Sequence, residues 1–218
     1  MRLRHVLLGA AAAVALVASQ ASAASLLNVR AVGTVSGFDG SGLLGLAGAN
    51  YVNASFLLTS TLDLTRGVRD VTANRDQVYG FPPNAPGMAT IKAGGNISTW
   101  GSAFSAISTY FIGSDSDVYV SFQNQLGVSD VTVHAGRHDL SFTSLNSLPT
   151  TNLCIGSAAC NVTIINYGAT GSGVTYVVGN LSSLTVSAAV PEPNAWALMI
   201  AGFATAGFAL RRRRRVFA

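Results

Sequence analysis

Apolar and polar residues alternate along most of the chain between residues 26 and 187, and a period of two is typical of β-strands. In the first stretch the alternating positions include Leu27, Val29, Ala31 and Val35. The pattern predicts strands at 26–35, 51–64, 89–93, 97–106, 109–112, 118–123, 128–134, 162–167 and 174–187, with a further candidate at 139–145 and a split in the last strand at Gly179-Asn180.

Glycine and short polar residues separate these predicted strands. Residues 37–50 are glycine-dense and contain a small apolar patch of three leucines, whereas residues 70–87 contain three prolines and predict the longest loop. Many short strands with turn signals between them and no internal repeat are typical of an all-β protein. We therefore predict a body at residues 24–189 that folds as an antiparallel β-sandwich or jelly roll.

The N-terminal end departs from the strand pattern. Arg2, Arg4 and His5 precede an apolar run at residues 6–18, and Ala21-Ser22-Ala23 follows it. This order is typical of a secretory signal peptide, here residues 1–23, which would form a short signal helix. We expect the Sec translocon to export the chain and signal peptidase to cleave it between Ala23 and Ala24. An uncleaved membrane anchor is the alternative.

The C-terminal segment, residues 190–218, has three parts in a fixed order. Pro191, Glu192 and Pro193 come first, and an uncharged run at 195–210 follows. Its 16 residues would make a helix of roughly 24 Å, which is short for a membrane span. The run predicts a single transmembrane helix at about 195–210, and the alternative is a buried C-terminal helix with a basic tail. The segment closes with a stop-transfer cluster that the positive-inside rule places in the cytoplasm: Arg211, Arg212, Arg213, Arg214 and Arg215.

This segment resembles the PEP-CTERM sorting domain of Gram-negative bacteria. The resemblance rests on VPEPNAWALMIAGF, which includes Trp196, and on the arginines that follow the apolar run. Asn194 stands where the family more often has Ala, Ser or Thr, and Ala204 where a second Gly is frequent. The resemblance implies recognition of Pro191-Glu192-Pro193 by an exosortase, a membrane-embedded cysteine transpeptidase-like enzyme. It also implies removal of the tail and release of the body to the cell surface or the medium, after transient anchoring in the inner membrane with the body in the periplasm.

The distribution of charge argues against one class of partner, nucleic acids. The formal net charge of +4 comes from the two ends, because the stretch from Ala24 to Val190 has six basic residues and eight aspartates. A body that is slightly acidic does not predict a nucleic-acid partner. Glu192 is the only glutamate of the chain, so the body has few residues that favour long surface helices.

Cys154 and Cys160 are the only cysteines and lie six positions apart. In an exported chain such a pair more often forms a disulfide than a metal site, and the spacing excludes a CxxC redox pair. We therefore predict a disulfide between them.

Two clusters raise the question of a metal. His134, His138 and Asp139 could hold an ion, but Ala135-Gly136-Arg137 between them predicts a hairpin turn with solvated histidines. Asp115-Ser116-Asp117 resembles the start of a calcium loop without the later oxygen ligands, and a polar turn is the simpler interpretation. We predict no metal site and no cofactor.

Aromatic residues leave one further alternative. Trp100, Tyr110 and Tyr119 would suit either cross-strand packing, which we favour, or a platform for stacking sugars. The sequence has no G-x-S-x-G, H-E-x-x-H or S-x-x-K motif, so we predict no enzyme. The resemblance suggests a non-enzymatic matrix protein that associates with exopolysaccharide in biofilms. The alternatives are a lectin-like module, with or without calcium, and a secreted hydrolase.

Overall fold

The structure is a computed structural model, and it describes residues 26–112, 115–125, 128–137, 144–148, 150–157, 159–167 and 173–188, together with residue 203. The chain divides into two units, Met1–Ala188 and Ala189–Ala218. The predicted signal peptide, the transmembrane helix at 195–210 and the arginine cluster lie outside the described residues. No helix within these described ranges is long and apolar enough to cross a membrane.

The described part of the first unit is built almost entirely of β-strands. One short 3-10 helix, Leu145–Ser147, joins them near the end of the fold. The strands are β1 Leu26–Asp39, β2 Ala49–Asp63, β3 Val68–Thr72, β4 Arg75–Gly80, β5 Gly87–Ala93, β6 Asn96–Trp100, β7 Phe104–Ile112, β8 Asp115–Gln125, β9 Ser129–Arg137, β10 Ala159–Asn166 and β11 Thr175–Ala188.

All eleven strands belong to one antiparallel sheet in the order β3-β4-β7-β8-β9-β10-β11-β1-β2-β5-β6. The sheet curls, because its edge strand β6 returns to β8. There the Asn124 side chain accepts a hydrogen bond from the Gly101 amide at 3.0 Å and donates one to the Thr99 carbonyl at 2.9 Å. The all-β antiparallel prediction is therefore confirmed, in the form of a single curled sheet.

The inner face of the sheet encloses one hydrophobic core. Along each strand every second side chain points inward, which is why the apolar positions of the sequence recur with a period of two. The largest fully buried side chains are Trp100, Phe56, Phe122, Leu44, Leu58, Leu62, Ile91, Ile107, Leu145, Leu153, Ile164 and Leu184.

The predicted loop at 70–87 is wrong over most of its length. Strands β3 and β4 form a hairpin there, and only the proline-containing stretch between β4 and β5 is irregular. The buried positions of β4 are Asp76, Val78 and Gly80, so Val78 is the only one of the three with an aliphatic side chain. A polar strand of this kind has no clear alternation of hydrophobicity to recognise.

Other boundaries also differ from the sequence prediction. The predicted strand 97–106 is interrupted after Trp100, where Gly101 adopts a φ of 103° that favours glycine. The predicted hairpin turn at Ala135-Gly136-Arg137 is the continuous end of β9. Likewise β11 runs through Gly179-Asn180 without a break.

Two more local predictions are contradicted, the second only in the part that the structure describes. Asp115-Ser116-Asp117 is not a turn tip but the start of β8. The candidate strand at 139–145 ends in helical structure at Leu145, and its residues 139–143 lie outside the described ranges.

Two buried aspartates, Asp39 and Asp76, each hold a loop against the core. Asp39 accepts hydrogen bonds from the Leu43 and Leu44 amides at 3.0 and 2.8 Å and from the Thr175 hydroxyl at 2.7 Å. These bonds hold the glycine-dense loop so that Leu44 is inserted into the core with 1% of its surface exposed.

Asp76 accepts two bonds from the Arg69 guanidinium, at 3.0 and 2.7 Å. It also accepts bonds from the Leu145 amide at 2.8 Å and the Ser144 hydroxyl at 2.9 Å. Burial of the carboxylate raises the pKa of Asp76, but these hydrogen bonds and the Arg69 charge outweigh it, so the pKa lies below its ordinary value.

The disulfide prediction is confirmed. Cys154 and Cys160 are bonded, with their Cα atoms 5.4 Å apart. The bond joins the loop before β10 to that strand.

The sheet ends at β3 on one side and at β6 on the other. β3 is five residues long and exposes Val68 and Val71 beside Arg69 and Asp70. On the opposite side, Asn124 bonds the Thr99 carbonyl of β6.

Candidate functional site

A groove lies on the outer face of the sheet where β4, β7, β8 and β9 run side by side. It has a volume of about 430 Å³. Its lining residues occupy alternate positions of these strands: Gln77, Phe104, Ala106, Ser108, Tyr110, Asp117, Tyr119, Ser121 and Thr132.

The depth of the groove follows from side-chain size. Ala106 and Ser108 form its floor on β7, and larger residues of the same strand, Phe104 and Tyr110, flank them. Tyr119 lies directly across from Ser108 on β8. Small residues between aromatic ones therefore create a concave surface on an otherwise regular sheet.

Three rings form a connected cluster, of which Tyr110 and Tyr119 line the groove and His134 lies next to it on β9. Tyr110 and Tyr119 meet edge to face with their centroids 5.5 Å apart. His134, across from Tyr119 on β9, stacks on the Tyr119 ring at 4.3 Å with an interplanar angle of 11°. These contacts restrain the Tyr119 ring, which is the arrangement expected of a preorganised stacking surface.

Charged groups lie at one side of the groove. Asp117 lies 3.4 Å from the His134 Nε2 atom. Partial burial, followed by the charge of Asp117 and the nearby Tyr110, raises the pKa of Tyr119 above its ordinary value. Because its pKa is raised, Tyr119 keeps its hydroxyl proton and can donate a hydrogen bond at neutral pH. Hydrogen bonding to Tyr110 and the charge of Asp70 raise the pKa of Arg75, which stays a cation.

The hydrogen bonds around His134 do not form a nucleophile–base pair. Within the described ranges its side-chain partner is Asp117, and the nearby Ser121 hydroxyl donates instead to Asp130 at 2.7 Å. Thr132 also donates to Asp130, at 2.8 Å. The groove presents aromatic, hydroxyl and amide groups, which suit binding of a polar, uncharged molecule.

The structure brings together two of the three aromatic residues that the sequence suggested as a platform. Trp100 is not among them, because it is fully buried in the core and its Nε1 atom donates to the Ser98 hydroxyl at 3.0 Å. That part of the platform hypothesis is wrong. Sequence reasoning also missed Gln77, although it shares the outward parity of β4.

Of the three residues that the sequence suggested as metal ligands, the structure describes one. His134 stacks on Tyr119, whereas His138 and Asp139 lie outside the described residues. No group of three or more histidine, cysteine or acidic side chains in the described ranges has the arrangement of a metal site.

A second groove, of about 380 Å³, lies on the outer face of β1, β2, β10 and β11. It contains no ionisable side chain, and amides and hydroxyls dominate its lining: Thr34, Ser36, Asn53, Asn161, Val162, Thr163, Val178, Gly179 and Asn180. Asn53 adopts a φ of 48° at an irregularity in the pairing of β1 with β2, and its amide N–H donates to the Ser36 hydroxyl at 2.9 Å.

The described body is thus an all-β unit with polar grooves, and the residues beyond it match a protein-sorting signal. The matching family model is the PEP-CTERM protein-sorting motif, at residues 189–214. The C-terminal segment of the chain is therefore a PEP-CTERM protein-sorting segment.

The match includes Pro191, Glu192, Pro193 and Trp196, and it ends within the arginine cluster. The motif implies export, sorting to the cell envelope and processing by an exosortase. No curated protein and no solved structure matches this chain significantly.

Proposed function

We propose that the body is a non-enzymatic carbohydrate-binding module that associates with exopolysaccharide after exosortase sorting. The observation that carries this proposal is the restrained cluster of Tyr110, Tyr119 and His134 above a floor of small residues. An aromatic ring at such a groove offers a flat apolar surface, and the surrounding hydroxyls and amides offer hydrogen bonds. Sugars have both kinds of surface.

The geometry favours this function over the hydrolase alternative. A glycosidase of the usual kind needs two carboxyl groups that flank the scissile bond. Asp117 is the carboxylate among the residues lining the groove, and it lies against His134. Nucleophilic catalysis needs a hydroxyl or thiol hydrogen-bonded to a base, and the described contacts of His134 provide none.

The test of binding uses the full exported protein and the exopolysaccharide of its own host. Wild type is compared with Tyr119→Ala and with Tyr119→Phe, which retains the ring. We expect the affinity to fall about tenfold for Ala, the equivalent of about 1.4 kcal/mol, and to stay near wild type for Phe. Equal binding by all three proteins contradicts the proposal.

Two further measurements address the alternatives. Binding is repeated with EDTA, because a calcium-dependent lectin would lose its affinity and a calcium-independent module would not. The same protein is incubated with the polysaccharide, with esters and with peptides. Turnover that a single Asp117→Asn or His134→Ala substitution abolishes would establish an enzyme and refute the non-enzymatic part of the proposal.

The proposed sorting route has its own sequence basis. The signal peptide is removed so that Ala24 becomes the first residue, and the run at 195–210 then inserts as a short membrane helix with the arginines in the cytoplasm. A marginal span keeps Pro191-Glu192-Pro193 at the membrane surface, where an exosortase reaches it. N-terminal sequencing of exported material that still begins at Met1 contradicts the first step.

Glu192 supplies the test of recognition. Glu192→Ala should leave export intact but trap full-length protein in the inner membrane. Asn194→Ala, which introduces a residue frequent in the family, is the matched control and should be processed normally. Fractionation with a tag after Ala218 makes the comparison. Normal tail removal from the Glu192→Ala protein, in a strain that encodes an exosortase, rules out recognition through this residue.

A further inference from the structure

One row of outward positions crosses eight neighbouring strands and joins the two grooves. Each member lies directly across from the next in the strand register: Gln77 on β4, Ser108 on β7, Tyr119 on β8, His134 on β9, Asn161 on β10, Asn180 on β11, Thr34 on β1 and Ser55 on β2. Every member is polar, and the two grooves include six of the eight.

We propose that this row is one continuous binding track for an extended, uncharged polysaccharide whose chain crosses the strands. The aromatic groove would hold one end of the bound stretch, and the amide groove would hold the other. The inference rests on the proposed function, and it adds that the ligand is a polymer bound at several consecutive sugar residues.

The amides at the middle of the track have unused hydrogen-bonding capacity. Asn161 and Asn180 lie directly opposite each other on β10 and β11. Their side chains make no hydrogen bond to any described residue, although nearby polar side chains such as Ser121 and Thr132 are bonded to Asp130. An amide offers two donors and an acceptor that accepts two bonds, so the pair suits hydroxyl groups of a ligand.

The charge of the track selects the class of ligand. The row contains one histidine, His134, and no aspartate, glutamate, lysine or arginine. An anionic polymer would be expected to meet lysine or arginine side chains, as phosphate and carboxylate ligands do. The nearest charged groups of the aromatic groove, Asp117 and Arg75, lie one row away in the register.

The length of the track requires more than one sugar. Neighbouring strands lie about 4.8 Å apart, so the path from Ser108 on β7 to Asn180 on β11 is about 19 Å. One monosaccharide ring spans roughly the distance between two strands. A ligand that contacts both Tyr119 and Asn180 is therefore an oligomer of several residues.

The experiment uses a size-fractionated ladder of oligosaccharides, prepared by partial hydrolysis of the exopolysaccharide of the host and freed of charged fragments. Binding of each size to the full exported protein is measured by calorimetry. We expect affinity to rise at least tenfold between the disaccharide and the longest fragments and then to level off. Affinity that is independent of length overturns the track while leaving a single-groove sugar site in place.

Substitutions test the contribution of each groove to binding separately. The double variant Asn161→Ala/Asn180→Ala should bind the disaccharide as wild type does and the long fragments about tenfold more weakly. Tyr119→Ala should weaken both. Asn50→Ala removes an exposed amide of β2 that lies outside both grooves, and it should change neither. Thermal unfolding of each protein verifies that it is folded, and Asn180→Ala alone serves if the double variant is not.

Two results separate the failure of this inference from that of the proposed function. Unchanged binding of long fragments by Asn161→Ala/Asn180→Ala, with loss in Tyr119→Ala, refutes the track alone. Absence of binding at every fragment length refutes the carbohydrate-binding function and the track with it.

Discussion

The two faces of β7, β8 and β9 have different physical roles although the same strands carry them. On the inner face Ile107, Val120 and Val133 lie in register and are fully buried. On the outer face the adjacent positions hold Ser108 and Tyr119, which line the groove, and His134, which stacks on Tyr119.

Because successive side chains of a strand point to opposite faces, neighbouring residues in the sequence belong to separate environments. The core determines whether the sheet forms, and the outer row determines what it contacts. Substitutions one position apart should therefore have effects of different kinds, and four measurements examine that separation.

The largest loss of stability is expected for Trp100→Ala. Trp100 is fully buried, and removing so large a core side chain costs about 4 kcal/mol of the free energy of unfolding. Chemical denaturation measures the loss. Binding per folded molecule should stay unchanged, since Trp100 is remote from the outer face. A stable Trp100→Ala protein that has lost its ligand contradicts the separation of the faces.

Asp76→Asn examines one of the two aspartates that are buried among the apolar side chains of the inner face. The substitution weakens the bonds to Arg69 and Leu145 and should cost about 2 kcal/mol at neutral pH. The folded pKa of Asp76 is lowered, so its contribution is present above the ordinary value of 3.8 and is lost as the pH falls through the lower folded pKa. Wild type should thus approach the stability of Asp76→Asn in acid. A constant difference over the whole acid range argues against the Asp76–Arg69 contact as its source.

Tyr119→Ala should cost less, about 1 kcal/mol, because the change removes the contacts with Tyr110 and His134 from an outer position. Its effect on ligand affinity should exceed its effect on folding. Parallel measurements of denaturation and binding make the comparison. A loss as large as that of Trp100→Ala means that the groove is part of the core.

The smallest effect is expected in alkali. The folded pKa of Tyr119 is raised, so its contribution to stability is fully present below the ordinary value of 10.0 and is lost as the pH rises through the higher folded pKa. Wild type should lose slightly more stability than Tyr119→Phe over that range. Identical profiles of stability against pH show that burial of the Tyr119 hydroxyl has no energetic consequence.

The sequence predicts the inner face better than the outer one. Alternating aliphatic residues located β1, β2, β5 and β8–β11 because burial imposes a hydrophobic pattern. The same signal was absent in β4, where Asp76 and Gly80 occupy inward positions. The prolines after β4 then made the whole stretch resemble a loop.

The candidate site depended on information that alternation does not contain. Tyr110 and Tyr119 were recognisable as aromatic strand residues, but only the register reveals that His134 faces Tyr119. The sequence prediction placed Trp100 with the outer aromatic residues. A single continuous strand at 97–106 would put Trp100 on the same face of the sheet as Phe104, which lines the groove. The break at Gly101 removes that relation. Pairings between strands that are distant in sequence, such as Asn161 with Asn180, follow from the whole sheet.

The two borders of the sheet have a consequence for behaviour at high concentration. An unpaired strand border invites another chain to continue the sheet, which leads to aggregation. β3 counters this by being short and by carrying Arg69 and Asp70, and β6 does so through the Asn124 side chain that bonds its Thr99 carbonyl. Many copies should therefore remain separate molecules when crowded together, so that their assembly is governed by what the outer row binds.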